Sequence, residues 1–311
     1  MAPRRGFRHE ALIYAGVEDF VARTAPFIRA GLEADEPVLV VVDATKISRL
    51  RNELGDDASD VRFADMRAVG GNPARIIPVW VDFVNEPSAR SRSRRGIGEP
   101  IWAGRTPAEL VESQRHEALL NLAFVDDPDL WLLCPYDSEA LAPDVIDEAH
   151  RSHPLIVDDG IEIQSDTFQG IAEISAPFDA PLPDPPPTAL ALFFSADGLS
   201  RLRDVASSYA RDIGMDAARA AEVSLAVSEI ATNTIRHAGG RGQFRIWANG
   251  DSLAAEVSDA GRIGDPLIGR RRPEVDQRDG RGMWIVNQLC DLVQVRTYAT
   301  GNVVRLQFRL P

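Results

Sequence analysis

A proline-rich stretch divides the chain and restricts its folding more than any other feature. Six of the 13 residues from Ser175 to Pro187 are proline. Proline fixes φ and removes a backbone donor, so this stretch cannot lie inside a helix or a central strand. We interpret residues 175–187 as a semi-rigid extended linker between a first domain, residues 7–174, and a second domain, residues 188–311.

The two parts differ in charge. Residues 188–311 contain 16 basic and 14 acidic residues, a net charge of +2, whereas residues 1–187 contain 18 and 33, a net charge of −15. The overall charge of −13 argues against direct nucleic-acid binding, which needs a basic domain or stripe, and against an anionic membrane surface as partner. The acidity fits either solvated helix faces or a contact between the first domain and basic segments of the second.

Cysteine usage and hydropathy predict a cytoplasmic protein. Cys134 and Cys290 lie far apart in sequence and form neither a CxxC pair nor a metal-binding spacing, which favours a reducing compartment. The basic first residues are not followed by an apolar targeting segment, and no stretch approaches the ~20 apolar residues of a membrane span.

The first domain alternates between strands and helices. Residues 38–42 form an apolar run typical of a strand buried on both faces. Further strands are predicted at 61–64 and at 130–134, where the strand ends at Pro135, and helices at 17–33, 45–54, 73–85 and 107–124. This alternation predicts an α/β domain with a parallel-type sheet and helical crossovers.

The second domain has a different pattern. Strands are predicted at residues 243–248, 252–258, 293–298 and 303–310, and helices at 200–213, 216–237 and 280–289. A few helices against a mixed or antiparallel sheet form an α+β two-layer sandwich.

One helix of the second domain carries a polar stripe. Glu229, Asn233 and His237 follow one another at a spacing of four, so they share one side of the helix. The buried stripe beside them consists of Val223, Val227, Ile230 and Thr234. An Asn oxygen at a core edge can bind a hard cation with phosphates, and a Glu can bind a water or hydroxyl.

Two glycine-containing motifs follow this helix. A predicted strand ends at Asp259, which can accept a hydrogen bond from an exocyclic amine, and Gly261 lets the backbone approach a flat ring. Gly280 and Gly282 open an apolar helix, whose N-terminal amides can bind an anion. Each motif alone is weak.

In this order and within about 60 residues, the three motifs resemble the N, G1 and G2 boxes of the GHKL (Bergerat-fold) ATPases. The size is similar to that of the RsbW-like anti-sigma-factor serine kinases. The resemblance covers residues 188–311 and implies a Bergerat fold with ATP and Mg²⁺ as cofactors.

The resemblance also implies roles for individual residues. Asn233 would coordinate Mg²⁺, and Glu229 would act as general base or orient the attacking hydroxyl. Asp259 would hold the adenine amine, with Gly261 beside the ring. His237 closes the N box and is counted with the nucleotide-binding residues.

The remaining nucleotide contacts fall between the second and third boxes. Gly280, Arg281 and Gly282 would lie at the phosphates, and residues 262–279 would form the ATP lid. The arginine run at 270–272 could contact phosphate or a partner, although a solvated loop is the simpler interpretation.

One residue departs from the family pattern. The usual G1 box is Asp-x-Gly-x-Gly, but Ile263 occupies the position of the second glycine, and Gly264 comes one residue late. This difference leaves open how the lid is built and whether kinase activity is retained. The intact pair of Glu229 and Asn233 favours an active kinase.

The first domain resembles a MEDS sensory domain over about residues 7–155. The resemblance rests on the segments 7–14, 37–43, 115–121 and 134–137. It implies a plan similar to RecA/KaiC-like ATPases and the sensing of a small ligand or of a protein state. The sequence contains no GxxxxGK[ST] motif, so no P-loop nucleotide site is expected in this domain.

Two histidine–glutamate pairs in the first domain have two possible roles. The pairs at 9–10 and 116–117 either line a ligand pocket or serve the core, and a structural role is the more common one. A metal site needs more convergent ligands than the sequence shows. Cys134, at a strand end, is more typical of a small buried hydrophobe than of a redox switch.

These features predict a cytoplasmic partner-switching regulator. The second domain would phosphorylate Ser or Thr of a STAS-type anti-anti-sigma protein or hold a sigma factor directly, gated by the first domain, and could form a homodimer. The alternative is a non-catalytic module that sequesters its partner, with ATP structural or absent. A sensor histidine kinase would need a helical phosphoacceptor segment where the proline-rich stretch stands.

Overall fold

The computed structural model describes residues 6–87, 93–126, 129–170, 178–273 and 280–311. The chain divides into two compact units, Met1–Phe178 and Asp179–Pro311. Within the described ranges, no helix is both long and apolar enough to cross a membrane.

The first unit is built on a mixed, mostly parallel sheet. In the described residues its strands are β1 (Arg8–Tyr14), β2 (Val38–Val42), β3 (Val61–Asp65), β4 (Arg94–Gly98), β5 (Leu130–Asp137), β6 (Leu155–Asp158) and β7 (Ile161–Gln164). Their order is β3-β2-β4-β5-β1-β6-β7, and only the pairing of β6 with β7 is antiparallel. The predicted α/β class with a parallel-type sheet is confirmed.

Helices connect these strands. They are α1 (Gly16–Glu33), α2 (Ala44–Leu54), α3 (Met66–Val69), α4 (Ile76–Asn85), α5 (Pro107–Ala123) and α6 (Pro143–Ser152). Side chains fix two of the starts: Asp43 accepts hydrogen bonds from backbone N–H groups at the start of α2, and Thr106 forms a capping box with Glu109 at the start of α5.

Strand β4 has no sequence prediction because its segment Arg-Arg-Gly-Ile-Gly lacks an apolar run. Its glycines make room for the buried indole of Trp80: a Cβ at Gly96 or at Gly98 would lie 2.7 Å from the ring. The large side chain that fills this space belongs to Trp80 of helix α4 and not to the strand. No hydrophobic pattern within β4 can therefore predict the strand.

Strand β5 does not end at Pro135 as predicted but continues to Asp137. Its ladder with β4 covers only Leu130–Leu133, whereas its ladder with β1 runs to Asp137. Beyond Leu133, β5 is an edge on the β4 side, and proline is tolerated at such a position because no partner needs its missing N–H.

The second unit pairs an antiparallel sheet with helices. Its described strands are β8 (Leu190–Phe194), β9 (Gly242–Asn249), β10 (Ser252–Asp259), β11 (Leu292–Tyr298) and β12 (Gly301–Arg309), in the order β11-β12-β10-β9-β8. Helices α7 (Leu199–Asp212), α8 (Ala217–His237) and α9 (Arg281–Leu289) pack on one sheet face around a common apolar core. The predicted α+β sandwich is confirmed, and the predicted stripe Val223, Val227, Ile230 and Thr234 is buried.

The opposite sheet face of the second unit contacts the proline-rich stretch. Arg305 forms a buried ion pair with Glu256 and donates to the carbonyl of Pro183 at 2.7 Å. Arg296 Nε donates to the carbonyl of Ala180 at 3.2 Å. The backbone at Ala180 and Pro183 is therefore bound to the sheet of the second unit, to which these residues belong. Residues 175–177 of the predicted linker lie outside the described residues.

Gly301, at the turn between β11 and β12, allows a close approach of two strands. Its φ is +139°, and a Cβ at this position would overlap the carbonyl oxygen of Asp259. Gly250 also has a positive φ, +62°, but a Cβ there would meet nothing within 4 Å. A side chain at Gly250 would only have to adopt an unfavourable positive φ, whereas one at Gly301 would also clash with a neighbouring strand.

We expect Gly301→Ala to destabilise the second unit by at least about 2 kcal/mol more than Gly250→Ala, which should cost roughly 1 kcal/mol. Differential scanning calorimetry of the full-length variants measures the difference. Equal transition temperatures for the two variants would contradict the close approach at Asp259.

Candidate functional site

Helices α8 and α9 bring three of the predicted site residues together. Glu229 and Asn233 lie half-buried on α8, and Gly282 is the second residue of α9. A Cβ at Gly282 would lie 2.8 Å from Glu229 Oε2 and 3.4 Å from Asn233 Nδ2. A side chain at this position would therefore crowd the carboxylate and displace it, and the glycine leaves the carboxylate and the amide facing the start of α9.

The start of α9 has the features of an anion site. Gly280 precedes the helix with a φ of +86° and provides no side-chain cap. The first backbone N–H groups of a helix have no partner within the helix, and they carry its partial positive charge. These N–H groups lie beside Asn233. They can bind an anion while the Asn oxygen binds the cation that accompanies it.

Asp259, at the end of β10, accepts hydrogen bonds from three separate elements. Thr234 Oγ1, on α8, donates to Asp259 Oδ2 at 2.7 Å. The backbone N–H of Gly261 and Nδ2 of Asn302 donate to Oδ1 at 2.9 and 3.0 Å. The carboxylate is thus held in one orientation and remains partly exposed to a ligand.

Gly261 brings the chain close to the end of α8. A Cβ at this position would lie 2.6 Å from Cβ of Ala238, the residue that follows the last turn of the helix. The position of Gly261 beside an adenine ring stays a prediction.

Ile263, the departure from the family pattern, is firmly placed. Its N–H donates to Asn302 Oδ1 at 2.9 Å, and its side chain packs against the apolar core of the second unit. The start of the predicted lid is therefore tied to strand β12 through the same Asn302 that contacts Asp259.

His237 is the last residue of α8, and its side chain is exposed. Its place among the nucleotide-binding residues stays a prediction. Arg281, the first residue of α9, is also exposed.

Part of the predicted lid contacts α9. Asn287 Nδ2 donates to the carbonyl of Gly269 at 2.9 Å, and Gly269 has a φ of +70°. The expectation of a solvated arginine run does not hold for Arg270, which is buried, whereas Arg271 and Arg272 are exposed. Residues 274–279 of the lid lie outside the described residues.

Two polar residues of the site have no sequence prediction as site residues. The stripe on α8 includes Thr234 as a core residue, but a hydroxyl in an apolar stripe needs a partner, and this one donates to Asp259. Asn302 lies directly opposite Asp259 in the ladder of β10 and β12. Its contact could be found only from the strand register, which the sequence does not fix.

The first unit separates each predicted histidine–glutamate pair. His9 and Glu10 are neighbours on β1 and therefore point to opposite sheet faces. Glu10 pairs with Arg8, whereas His9 Nε2 lies 3.2 Å from Glu117 Oε2. One residue of each pair thus contributes to a single buried cluster.

A second polar group lies where strands β1, β2 and β4 end. Lys46 Nζ lies 2.7 Å from Glu99 Oε2, and the Tyr14 hydroxyl donates to Glu99 Oε1 at 2.5 Å. Burial raises the pKa of Glu99 to about 7, although the nearby Lys46 ammonium opposes this rise. Ligands of parallel sheets commonly bind at this carboxyl edge.

Comparisons with known proteins agree with the two units. Residues 8–154 match the family model described as "MEDS: MEthanogen/methylotroph, DcmR Sensory domain", and residues 194–308 match the one described as "Histidine kinase-like ATPase domain". A search of the curated proteins found no match.

Among solved structures, the chain is similar to the crystal structure of the RsbU and RsbW domains of Rv1364c from Mycobacterium tuberculosis. The identity is 18%, the TM-score is 0.30, and the match covers 39% of this chain and 32% of that chain. The chain thus matches about a third of the length of that structure. By its two family matches, the chain contains a MEDS domain, residues 8–154, and a histidine-kinase-like ATPase domain, residues 194–308.

Proposed function

We propose that the chain is a partner-switching regulator whose ATPase domain binds Mg-ATP and phosphorylates a serine or threonine of a STAS-type anti-anti-sigma protein. The observation that carries this proposal is the approach of Gly282 to within contact distance of Glu229 and Asn233. It brings a carboxylate, an amide oxygen and the N-terminal amides of a helix to one place, as phosphoryl transfer requires.

The residues of this region fit an adenine nucleotide. The partly exposed carboxylate of Asp259 offers an acceptor to an exocyclic amine, and Gly261 keeps the neighbouring surface free of a side chain. The amides at Gly280, Arg281 and Gly282 would hold phosphate oxygens. Asn233 would supply an oxygen ligand to Mg²⁺, a hard cation that retains several waters and phosphate ligands.

Glu229 is the group that can manage the proton. ATP, when bound, would supply the γ-phosphoryl group, and its Mg²⁺ would neutralise part of the phosphate charge. The partner's hydroxyl oxygen would bond to the γ-phosphorus in line with the bridging oxygen, which would leave with ADP. Glu229 would orient this hydroxyl and accept its proton.

The first domain would control this activity from a ligand site. The cluster of Lys46, Glu99 and Tyr14 offers a cation, a carboxylate and a phenol to a small polar ligand or a partner segment. We place the sensed signal at this edge of the MEDS sheet. Homodimerisation through the ATPase domain and direct binding of a sigma factor belong to the same proposal.

The second candidate is a non-catalytic module that sequesters its partner. The partly buried Ile263 favours this candidate, because its side chain packs against the core of the second unit where the family has a glycine. A fixed lid start limits the closure that phosphoryl transfer needs.

The assay uses a STAS-domain protein that the full chain captures and that is then purified. Incubating this protein with the full chain, γ-labelled ATP and Mg²⁺ distinguishes the two candidates. Phosphate transfer to a serine or threonine supports the kinase. A stable complex without transfer, under conditions in which ATP binds, supports sequestration.

Glu229→Ala should retain ATP binding and lose phosphoryl transfer by roughly 10²-fold or more, because the hydroxyl proton loses its acceptor. Single-turnover transfer to the STAS protein measures the rate, and calorimetry measures ATP affinity. Glu222→Ala, two turns earlier on α8, is the matched control and should transfer at the wild-type rate. A wild-type rate in Glu229→Ala would contradict the role of general base.

Asn233→Ala should weaken Mg-ATP binding by about 10-fold or more, because Mg²⁺ loses a protein oxygen ligand. Titration calorimetry with and without a chelator measures the Mg²⁺-dependent part of the affinity. The control is Asn249→Ala, an exposed residue at the end of β9. An unchanged Mg²⁺-dependent affinity in Asn233→Ala would reject the assignment.

A further inference from the structure

Four potential metal ligands meet in the core of the MEDS domain. His9 lies on β1, Cys134 on β5, Glu117 on α5, and His153 directly after α6. All four residues are at most 1% exposed. Cysteine, histidine and glutamate thus converge from two strands and two helices, although the sequence separates them by up to 144 positions.

The ligand atoms have the spacing of a small tetrahedral site. One ligand atom from each residue lies within 4.8 Å of all the others. Glu117 Oε2 is 3.2 Å from His9 Nε2 and 3.3 Å from His153 Nε2, and Cys134 Sγ is 3.4 Å from His9 Nε2. A tetrahedron with metal–nitrogen and metal–oxygen bonds of about 2.0–2.1 Å has edges of roughly 3.3 Å.

Hydrogen bonds fix which nitrogen of His9 carries the proton. The amide nitrogen of Asn121 donates to the carbonyls of Ala118 and Ser152. Its oxygen therefore faces His9 Nδ1, at 3.1 Å, and must accept from it. In a neutral ring, His9 Nε2 then presents a lone pair to the cluster.

His153 is oriented in the same way. Its Nδ1 lies 2.9 Å from the backbone carbonyl of Ala149, which can only accept a hydrogen bond. In a neutral ring, the lone pair of its Nε2 then also faces Glu117. A metal-binding histidine commonly donates its second N–H to a carbonyl or carboxylate, as both rings do here.

Two polar atoms of this cluster are left unsatisfied. Among the described residues, His153 Nε2 and Glu117 Oε1 are buried without a hydrogen-bond partner. When both rings are neutral, two nitrogen lone pairs face a buried carboxyl group, an arrangement that a bound cation would satisfy.

We propose that the MEDS domain binds one divalent metal ion of the zinc type through His9 Nε2, Glu117 Oε2, Cys134 Sγ and His153 Nε2. Two nitrogens, one sulfur and one oxygen in a tetrahedron are characteristic Zn²⁺ ligands, whereas Mg²⁺ and Ca²⁺ prefer oxygen alone. On binding, the thiol of Cys134 releases its proton and its sulfur forms the bond to the metal.

The four protein ligands leave no open coordination position. Sites of this kind stabilise the fold, because the metal binds the native state and not the separated ligands of the unfolded chain. The metal would join the two strands to α5 and α6. This inference is independent of the kinase activity proposed for the second domain.

The test measures metal in the full-length protein after incubation with Zn²⁺ and dialysis. We expect about one zinc per chain by mass spectrometry. With Co²⁺ instead, we expect a thiolate-to-cobalt charge-transfer band. Cys134→Ser should lose this band, whereas Cys290→Ser, which changes the buried cysteine of the second domain, should keep it.

A second variant and a second readout guard against loss of folding. His153→Gln should lower zinc affinity at least about 10-fold, and a chelator should lower the thermal transition of the wild-type MEDS domain but not that of His153→Gln. The proposal is overturned if the wild type binds no zinc above background, or if Cys134→Ser keeps the cobalt band. In either case the cluster holds no metal, and hydrogen bonds alone join Glu117, Cys134 and the two histidine rings.

Discussion

The carboxylate of Asp259 is the junction on which the ATPase domain's site depends. It accepts hydrogen bonds from Thr234 on α8, from the backbone of Gly261 and from Asn302 on β12. Asn302 in turn accepts from the backbone of Ile263. One side chain therefore fixes a helix, a turn, a strand and the start of the lid relative to one another. A partly buried charge of this kind is stable only because each of its donors is provided by the fold.

The sequence predicts much of this domain because its chemistry is local. Glu229 and Asn233 share a helix face by their spacing, and the glycines at 280 and 282 mark a helix start. Their meeting across α8 and α9 also follows from the resemblance of the three motifs. The contact of Asn302 on β12 with Asp259 on β10 does not, because strand register depends on pairing across the sheet and not on any single segment.

In the MEDS domain, less of the structure can be predicted from the sequence. Its strands β2, β3 and β5 are predicted from the sequence, whereas β1, β4, β6 and β7 are not. Strand β4 lacks an apolar run because its packing partner is Trp80 from a neighbouring helix. The convergence of His9, Glu117 and His153 is equally hidden, because no two of these residues belong to the same element. Local patterns thus reveal elements and helix faces, whereas clusters built from several elements require the tertiary structure.

The central claim is that ATP binds between α8, the turn at Gly261 and the start of α9. Photoaffinity labelling of the full chain with an azido-adenine ATP analogue, followed by peptide mapping, tests it most directly. The account predicts labelling near Asp259 and Gly261 or near Ala238, the segments that surround the proposed adenine position, and its suppression by Mg-ATP. Labelling confined to the MEDS domain, or labelling that Mg-ATP does not suppress, would contradict it.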